Sequence, residues 1–306
     1  VAAFRQFVWV INCLTFQLIS DAFVSLFYLQ KKLSRVIVLF MKNSNFAIAC
    51  NPQIEHSLQV GLRLKSILNR YRVSAETLDI DNLKSGYDFI FVIGGDGTIL
   101  KTARFYSKYL TPVFGINLGR LGFLSQSSEA DLDKSVEQII SGNFVVEDRV
   151  MLQYENSIAL NDFVVKGSAA GRTSRFTLKI NNKPVCDYLA DGIIISTPTG
   201  STAYGLSAGG PVLFPSLNAF VIVPICPHTL AARPLVIPDN EIISISSCGC
   251  EKKYVISADG QEYFETSSEI TIRKSSYYSK LALLDNTDFY SILRDKLHWG
   301  VSPAKI

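Results

Sequence analysis

The segment that decides the fold is Phe89-Ile90-Phe91-Val92-Ile93-Gly94-Gly95-Asp96-Gly97-Thr98. Its first five residues are all apolar, which predicts a buried strand, and the residues after Thr98 have the pattern of a helix. A glycine turn between a strand and a helix can hold phosphate, because free backbone N–H groups and the helix dipole both point at an anion. Glycine also lets the backbone approach a ligand closely. The segment therefore predicts a phosphate-binding turn.

Asp96 is an unusual residue for a simple phosphate site, because its carboxylate repels the ligand. A carboxylate at this position suggests a general base or a metal ligand. The alternative is an ordinary strand–helix turn in which the aspartate caps the helix. The segment by itself leaves both interpretations open.

Length and composition limit the class of protein. The chain has 306 residues, of which 48% are hydrophobic and 19% charged, which predicts a globular protein of roughly two domains. The net charge of +3 is too small to favour a nucleic-acid or membrane partner. The six cysteines are scattered, which favours a reduced, cytoplasmic protein. Cys248-Gly249-Cys250 has no histidine or second cysteine pair close in sequence, so no metal site is predicted.

Residues 1–40 form a separate, poorly specified segment. Their apolar runs are interrupted by Asn12, Gln17 and Asp21, so no stretch of 18 apolar residues predicts a membrane span. Met41-Lys42 then begins a segment typical of a cytosolic N-terminus. We expect residues 1–40 to be an extension of uncertain role, upstream of the functional start.

From residue 41 to 143 strands and helices alternate. Strands are predicted at 46–50, 73–80, 89–93 and 112–117, with a helical stripe of Leu58, Leu62, Ile67, Leu68 and Tyr71 after the first. Ser128 is predicted to cap a later helix. This alternation predicts a Rossmann-like α/β domain with a parallel sheet, whose ligands bind at the carboxyl ends of the strands.

From residue 144 short strand-like runs dominate. They predict an antiparallel, β-rich domain of two layers, with a hairpin turn at Asn181-Asn182. A final helix over 288–298 is expected to pack back on the first domain. The predicted division is therefore an α/β domain of residues 41–143 plus 286–306, and a β-rich domain of residues 144–285.

Three further segments have compositions suited to a ligand. Segment 115–124 has glycines spaced four and three apart, unlike the dinucleotide fingerprint. Segment 191–211 runs from an apolar strand into hydroxyl residues, with Tyr204 as a flat face for a base. Asn161-Asp162 suits a ribose diol, although it is also ordinary turn chemistry.

Taken together, segments 94–98, 115–124, 161–162, 191–211, 224–230, 233–234 and 259–261 resemble the NAD kinase (ATP-NAD kinase) family. The resemblance runs in order from about residue 41 to the end. The first motif also occurs in diacylglycerol, sphingoid and phosphofructo-kinases, whereas segments 191–211 and 224–230 are specific to NAD kinases. Asp162 stands where the family often has glutamate, and it keeps the carboxylate.

The resemblance implies Mg²⁺-dependent transfer of the γ-phosphoryl group of ATP to the adenosine 2′-hydroxyl of NAD, which gives NADP. It implies that Asp96 is the base, close to Mg²⁺, and that the family's dimeric or tetrameric assembly applies here. It also implies the following binding residues: Gly97, Thr98 and Lys101 for phosphate; Asn161 and Asp162 for the adenosine end; Asp191 for the nicotinamide carboxamide; Thr202, Ala203, Tyr204 and Ser207 for the NAD pocket; and, more weakly, Arg172 and Gln261.

Two other functions remain open at this stage. A lipid kinase would share the glycine motif but would need an apolar slot for acyl chains, which the polar segment 196–207 disfavours. An NAD-binding regulator without activity would not need Asp96 among intact glycines.

Overall fold

The computed structural model describes residues 45–119, 122–168, 173–229, 231–247, 253–284 and 288–298. The predictions for residues 1–40, Arg172 and Cys248-Gly249-Cys250 lie outside these ranges.

The first half forms a parallel sheet with helices on both faces, as predicted. Its strands follow the order β2-β1-β3-β4-β5, and every pair is parallel. Alternate strand residues pack against α1 and α3 on one face of the sheet and against α2 on the other. All of the strands except β2 and β5 are apolar, so both of their faces can be buried under helices. The elements are β1 (Phe46–Cys50), α1 (Glu55–Arg70), β2 (Ala75–Asp79), β3 (Phe89–Ile93), α2 (Asp96–Ser107), β4 (Val113–Asn117), β5 (Ser125–Ser128) and α3 (Leu132–Ile140).

The predicted stripe of α1 is wrong in part. Leu58 and Leu62 are 38% and 68% exposed, whereas the buried face includes Val60 and Leu64. The reason is Gly61, where an added Cβ would lie 2.6 Å from the Cys50 sulfur. The helix can approach the sheet closely only on the face that carries this glycine.

The predicted helix cap at Ser128 is also wrong. Ser128 is the last residue of β5, and α3 begins after Asp131 at its N-cap position. The Ser128 hydroxyl donates to the Asp131 carboxylate at 2.7 Å, so it supports the residue before the helix.

The second half is antiparallel and has two layers, as predicted. The first layer extends the parallel sheet in the order β10-β9-β14-β17-β4, and β6 pairs with β17 on one side and with β7 on the other. The second layer is a separate sheet in the order β13-β12-β11-β8-β15-β16. Apolar side chains from both layers form one core between them. The strands are β6 (Phe144–Tyr154), β7 (Ser157–Ala159), β8 (Asp162–Gly167), β9 (Ser174–Ile180), β10 (Lys183–Ala190), β11 (Gly192–Ser196), β12 (Ala219–Ile225), β13 (Leu235–Pro238), β14 (Ile243–Ser247), β15 (Tyr254–Ala258), β16 (Glu262–Thr266) and β17 (Ile270–Leu284).

The long strand β17 joins the two halves. It pairs antiparallel with β6 and β14, and Leu281 pairs in parallel with Val113 of β4. The predicted domain boundary near residue 143 stays a prediction, and the two regions on either side of it share a sheet.

The remaining helices are short. Thr199–Thr202 forms a 3-10 turn, followed by α4 (Tyr204–Ser207), and α5 (Phe289–Leu297) closes the described chain. The Asp288 side chain caps α5 by accepting from the N–H groups of Tyr290 and Ser291. Within the described ranges, no helix combines the length and the apolar character that crossing a membrane requires.

Candidate active site

Asp96 lies at the carboxyl end of β3, where the sheet geometry predicts a ligand. The N-cap of α2 is Gly95, and Asp96 is the first helical residue. Its carboxylate accepts from the Phe123 N–H at 2.8 Å and from the Leu124 N–H at 3.4 Å, across the loop that follows β4. Asp96 therefore does not cap its own helix, and the capping alternative is wrong.

The glycine turn around Asp96 is open to a ligand. An added Cβ at Gly95 or Gly97 would meet nothing within 4 Å, whereas one at Gly94 would meet the Thr98 side chain at 2.7 Å. The first N–H groups of α2 have no acceptor within the helix, and the positive end of its dipole lies here. This turn can bind a phosphate group, with Thr98 half-buried beside it.

Lys101 lies three residues after Thr98 on α2. Its ammonium group forms an ion pair with Asp81. Together with Arg104 and Lys108 it lines a cavity of about 430 Å³ next to the loop that follows β2. Its predicted role in phosphate binding stays a prediction.

The segments around Asn161 and Thr199 interlock. The Thr197 N–H donates to the Asn161 carbonyl at 2.9 Å, and the Thr197 hydroxyl accepts from the Gly200 N–H at 3.0 Å. An added Cβ at Gly200 would lie 2.1 Å from the Asn161 carbonyl oxygen. Only glycine allows this approach, so the two segments that were predicted separately form one surface.

Asp259 organises this surface, and the sequence assigned it no role. Its buried carboxylate accepts from the N–H groups of Leu160, Asn161 and Asp162 at 3.0, 2.7 and 3.1 Å. The Asp259-Gly260 pair forms the turn between β15 and β16, with both residues at positive φ. The Asp-Gly dipeptide signals this turn in the sequence, but its partners lie about a hundred residues away in the chain.

A cavity of about 560 Å³ opens beside these segments. It brings together Asn161, Asp162, Ala203 and Tyr204 of the predicted site. The Lys166 ammonium group lies 5.6 Å from the centre of the Tyr204 ring, within cation–π range. The residues that line the cavity are Asn161, Asp162, Val164, Lys166, Gly167, Ser168, Ala203, Tyr204, Val255, Ser257, Asp259, Gly260 and Tyr263.

Thr202, Ser207 and Asp191 are among the predicted residues that do not line this cavity. Thr202 ends the 3-10 turn, and its hydroxyl donates to the Thr199 carbonyl at 3.3 Å. Ser207 is exposed at the end of α4. Asp191 is exposed just before β11, at the opposite end of that strand from Ser196, which pairs with Asp162.

Gln261 connects the cavity to the glycine turn. Its side-chain amide donates to the Gly97 carbonyl at 2.9 Å. The glycine turn after β3 and the turn after β15, which holds Asn161 and Asp162, are therefore in direct contact. Gly97, the residue after Asp96, is thus connected to the turn that forms part of the cavity wall.

Two buried carboxyl groups give the cavity its electrostatic character. Burial, and then the neighbouring Asp259, raise the pKa of Asp162 to about 7. Burial also raises the pKa of Asp259, although its three backbone donors and Arg104 oppose this effect. Asp162 is therefore poised between its two protonation states near neutral pH.

This pair predicts a pH-dependent stability. Because the folded pKa of Asp162 exceeds its unfolded value of about 4, the native state binds more protons between about pH 4 and 7. The free energy of unfolding therefore falls as pH rises through that window, by up to about 4 kcal/mol. We expect Asp162→Asn to remove much of this fall, as measured by urea unfolding from pH 4.5 to 8. The exposed variant Asp148→Asn should keep the wild-type slope. An unchanged slope in Asp162→Asn would contradict the assignment.

Comparison with known proteins identifies the class of the fold and site. The family model of the ATP-NAD kinase N-terminal domain matches residues 29–144 of the chain. The family model of the ATP-NAD kinase C-terminal domain matches residues 160–284. The chain therefore belongs to the ATP-NAD kinase family, whose members are phosphotransferases.

Individual relatives agree with this assignment. The chain is 41% identical over 245 residues to the NAD kinase of Carboxydothermus hydrogenoformans, covering 75% of this chain and 88% of the relative. It is 38% identical over 240 residues to an NAD kinase of Clostridium botulinum, covering 75% and 85%.

Solved structures share the fold. An NAD kinase from Archaeoglobus fulgidus, in complex with ATP, aligns with a TM-score of 0.72 and 28% identity over 83% of this chain and 98% of that one. A yeast NADH kinase complexed with NADH aligns with a TM-score of 0.75 over 85% and 89%, at 23% identity. The predicted fold class is confirmed.

Proposed function

We propose that the chain transfers the γ-phosphoryl group of ATP to the adenosine 2′-hydroxyl of NAD, giving NADP. The observation that carries the proposal is the contact between Gln261 and Gly97, which joins the glycine turn to a cavity of nucleotide size that combines apolar and charged walls. The names of the relatives, and the ATP complex of the Archaeoglobus fulgidus enzyme, support the same pair of substrates.

Asp96 is the base in this proposal. Backbone donors from Phe123 and Leu124 hold its carboxylate, so it is oriented before the substrate arrives. A ribose hydroxyl is a weak acid, so a carboxylate within hydrogen-bond reach assists its attack on phosphorus. The remaining catalysis comes from the alignment of the two nucleotides and from neutralisation of phosphate charge.

Mg²⁺ arrives with ATP in this proposal. Among the described residues no cluster of three or more His, Cys, Asp or Glu side chains offers a dedicated metal site. Mg²⁺ is often held by substrate phosphates and one or two carboxylates, and Asp96 is the carboxylate at the phosphate turn. The bound ion would neutralise charge on the triphosphate.

The cavity holds the acceptor. Asn161 and Asp162 would bind the adenosine ribose, and Ala203 and Tyr204 would cover the base. Gly97 and Thr98 would contact phosphate, and Gln261 would stay on Gly97. Only the family resemblance supports binding roles for five further residues, which are Lys101, Asp191, Thr202, Ser207 and Arg172.

The two alternative functions lack support. The cavity walls include the charged or amide side chains of Asn161, Asp162, Lys166 and Asp259, to which an acyl chain offers no hydrogen-bond partner. Both halves of the chain match the kinase family, and Asp96 keeps an ordered position beside the turn.

One assay tests the proposal. The purified chain is incubated with ATP, MgCl₂ and either NAD or diacylglycerol, and the products are separated by mass. We expect NADP from NAD and no phosphatidic acid. A phosphorylated lipid, or NAD binding without turnover, would replace the proposal with one of the two alternatives.

Tyr204 provides a second test of the acceptor cavity. Its ring is 40% exposed at the cavity wall beside Lys166. We expect Tyr204→Ala to raise the KM for NAD by about tenfold, because one base stack contributes roughly 1–3 kcal/mol, and to leave the KM for ATP nearly unchanged. Steady-state kinetics with each substrate varied gives both values.

The control for this test is Tyr109→Ala, which removes an exposed tyrosine that does not line the cavity. Equal increases in both KM values for Tyr204→Ala would assign Tyr204 to folding instead.

Assembly and location complete the proposal. We infer a homodimer or homotetramer from the family resemblance, which light scattering coupled to gel filtration tests. We also infer a cytoplasmic enzyme, because ATP and NAD are available there and the described cysteines Cys50, Cys186 and Cys226 are free.

A further inference from the structure

A buried arginine joins α2 to the turn between β15 and β16. The Arg104 side chain is 10% exposed, and one guanidinium nitrogen lies 2.6 Å from a Glu262 carboxylate oxygen. The other terminal nitrogen lies 3.7 Å from the Asp259 carboxylate and donates to the Ala258 carbonyl at 3.4 Å. One side chain of α2 thus contacts three residues around a distant turn, namely Ala258, Asp259 and Glu262.

Both ends of this connection lead to the proposed site. Asp96 is the first residue of α2, about two helical turns before Arg104. Asp259 holds the backbone of Leu160, Asn161 and Asp162 through three hydrogen bonds. Arg104 is therefore linked through the rigid helix to the base, and through Asp259 to the loop that would hold the acceptor ribose.

We propose that Arg104 is a positioning residue that sets the placement of Asp96 relative to the Asn161-Asp162 loop. The inference rests on the proposed function. Arg104 does not line the acceptor cavity but lies on the wall of the neighbouring one, so it acts through Asp259 and α2. The contact between Gln261 and Gly97 is a second, weaker connection between the same two elements, because it is exposed.

The chemistry of the arginine suits this role. A planar guanidinium can contact Asp259 and Glu262 at the same time with fixed geometry, whereas a lysine ammonium is a single point charge on a flexible chain. Glu262 is itself held by the Ser157 hydroxyl at 2.9 Å, so the connection also reaches β7. Misplacement of a catalytic group by about 1 Å can cost a factor of about 10² in rate.

Kinetics of Arg104→Gln and Arg104→Lys test the inference. We expect Arg104→Gln to lower kcat by about 10- to 100-fold, with changes in the KM values for NAD and ATP below about threefold. Arg104→Lys keeps the positive charge but loses the planar guanidinium with its two terminal nitrogens. Its kcat should therefore lie between those of wild type and Arg104→Gln. Glu262→Gln should lower kcat less than Arg104→Gln, because Asp259 keeps its contact.

The matched control is Arg63→Gln, which removes an exposed arginine that pairs with Asp133 on α3. It should leave kcat unchanged. Thermal unfolding of every variant identifies loss of folding, and if Arg104→Gln does not fold, Arg104→Lys and Glu262→Gln decide the question.

Two outcomes would overturn the inference. One is a kcat within about twofold of wild type in a folded Arg104→Gln protein. The other is a raised KM for NAD with unchanged kcat, which would make Arg104 a binding residue. A wild-type chain that does not phosphorylate NAD would instead refute the proposed function, so the two failures are distinguishable.

Discussion

Asp96→Asn is expected to lower kcat by at least about 10², while the fold and NAD affinity remain. The asparagine can still accept the N–H of Phe123, which lies 2.8 Å from the present carboxylate. Its amide cannot take a proton from the ribose hydroxyl at neutral pH. Steady-state kinetics, circular dichroism and calorimetric titration of NAD measure the three quantities.

The chain offers a matched control for this substitution. Asp288 is a true capping residue, which accepts from the N–H groups of Tyr290 and Ser291 at the start of α5. Asparagine caps about as well as aspartate, so Asp288→Asn should be nearly neutral. If folded Asp96→Asn protein retains near-normal kcat, the base is a different group.

Gly122→Ala is expected to have the second largest effect. An added Cβ at Gly122 would lie 1.8 Å from one Asp96 carboxylate oxygen and 2.3 Å from the carboxyl carbon. The short Asp96 side chain can rotate away more easily than the loop can move, so the fold should survive while the base is displaced. A shift of about 1 Å predicts a loss of kcat of about 10- to 100-fold.

Gly119→Ala in the same loop is the control. The atom nearest to a Cβ added at Gly119 would be the Asn117 side-chain oxygen, at 3.9 Å, which is an ordinary contact distance. We expect this variant to keep wild-type kcat. Equal losses in both variants would mean that the loop needs glycine for its own conformation, and that the contact with Asp96 is not the cause.

The local elements could be predicted from the sequence alone. The apolar run of β3 followed by three glycines predicted a strand, a turn and a helix, and all three are present. Asn181 and Asn182 predicted a hairpin, and both have positive φ there. Such features depend on neighbouring residues, because backbone preferences and side-chain periodicity act over a few positions.

The resemblance of the motifs also predicted which segments meet. Asn161, Asp162, Ala203 and Tyr204 line one cavity, as an acceptor pocket requires. The same reasoning placed Lys101 at the phosphate, because it lies one turn after Thr98. In the structure Lys101 forms an ion pair with Asp81 from the loop after β2, and its role at the phosphate stays a prediction. The position of a residue on a helix predicts the direction of its side chain. The residue with which that side chain forms an ion pair comes from another part of the chain, so it cannot be predicted from the helix alone.

Only the tertiary structure decided how the site is held together. Asp259 belongs to a motif that the sequence showed, but its role did not follow from that motif: it orders the Asn161-Asp162 backbone, and Arg104 connects it to the helix of Asp96. Sequence pattern reports burial and local conformation, and it predicted Asp96 as a functional carboxylate. The pairing of buried charges from strands and helices far apart in the chain is determined by packing, because only the folded core brings them within a few ångströms and excludes water around them.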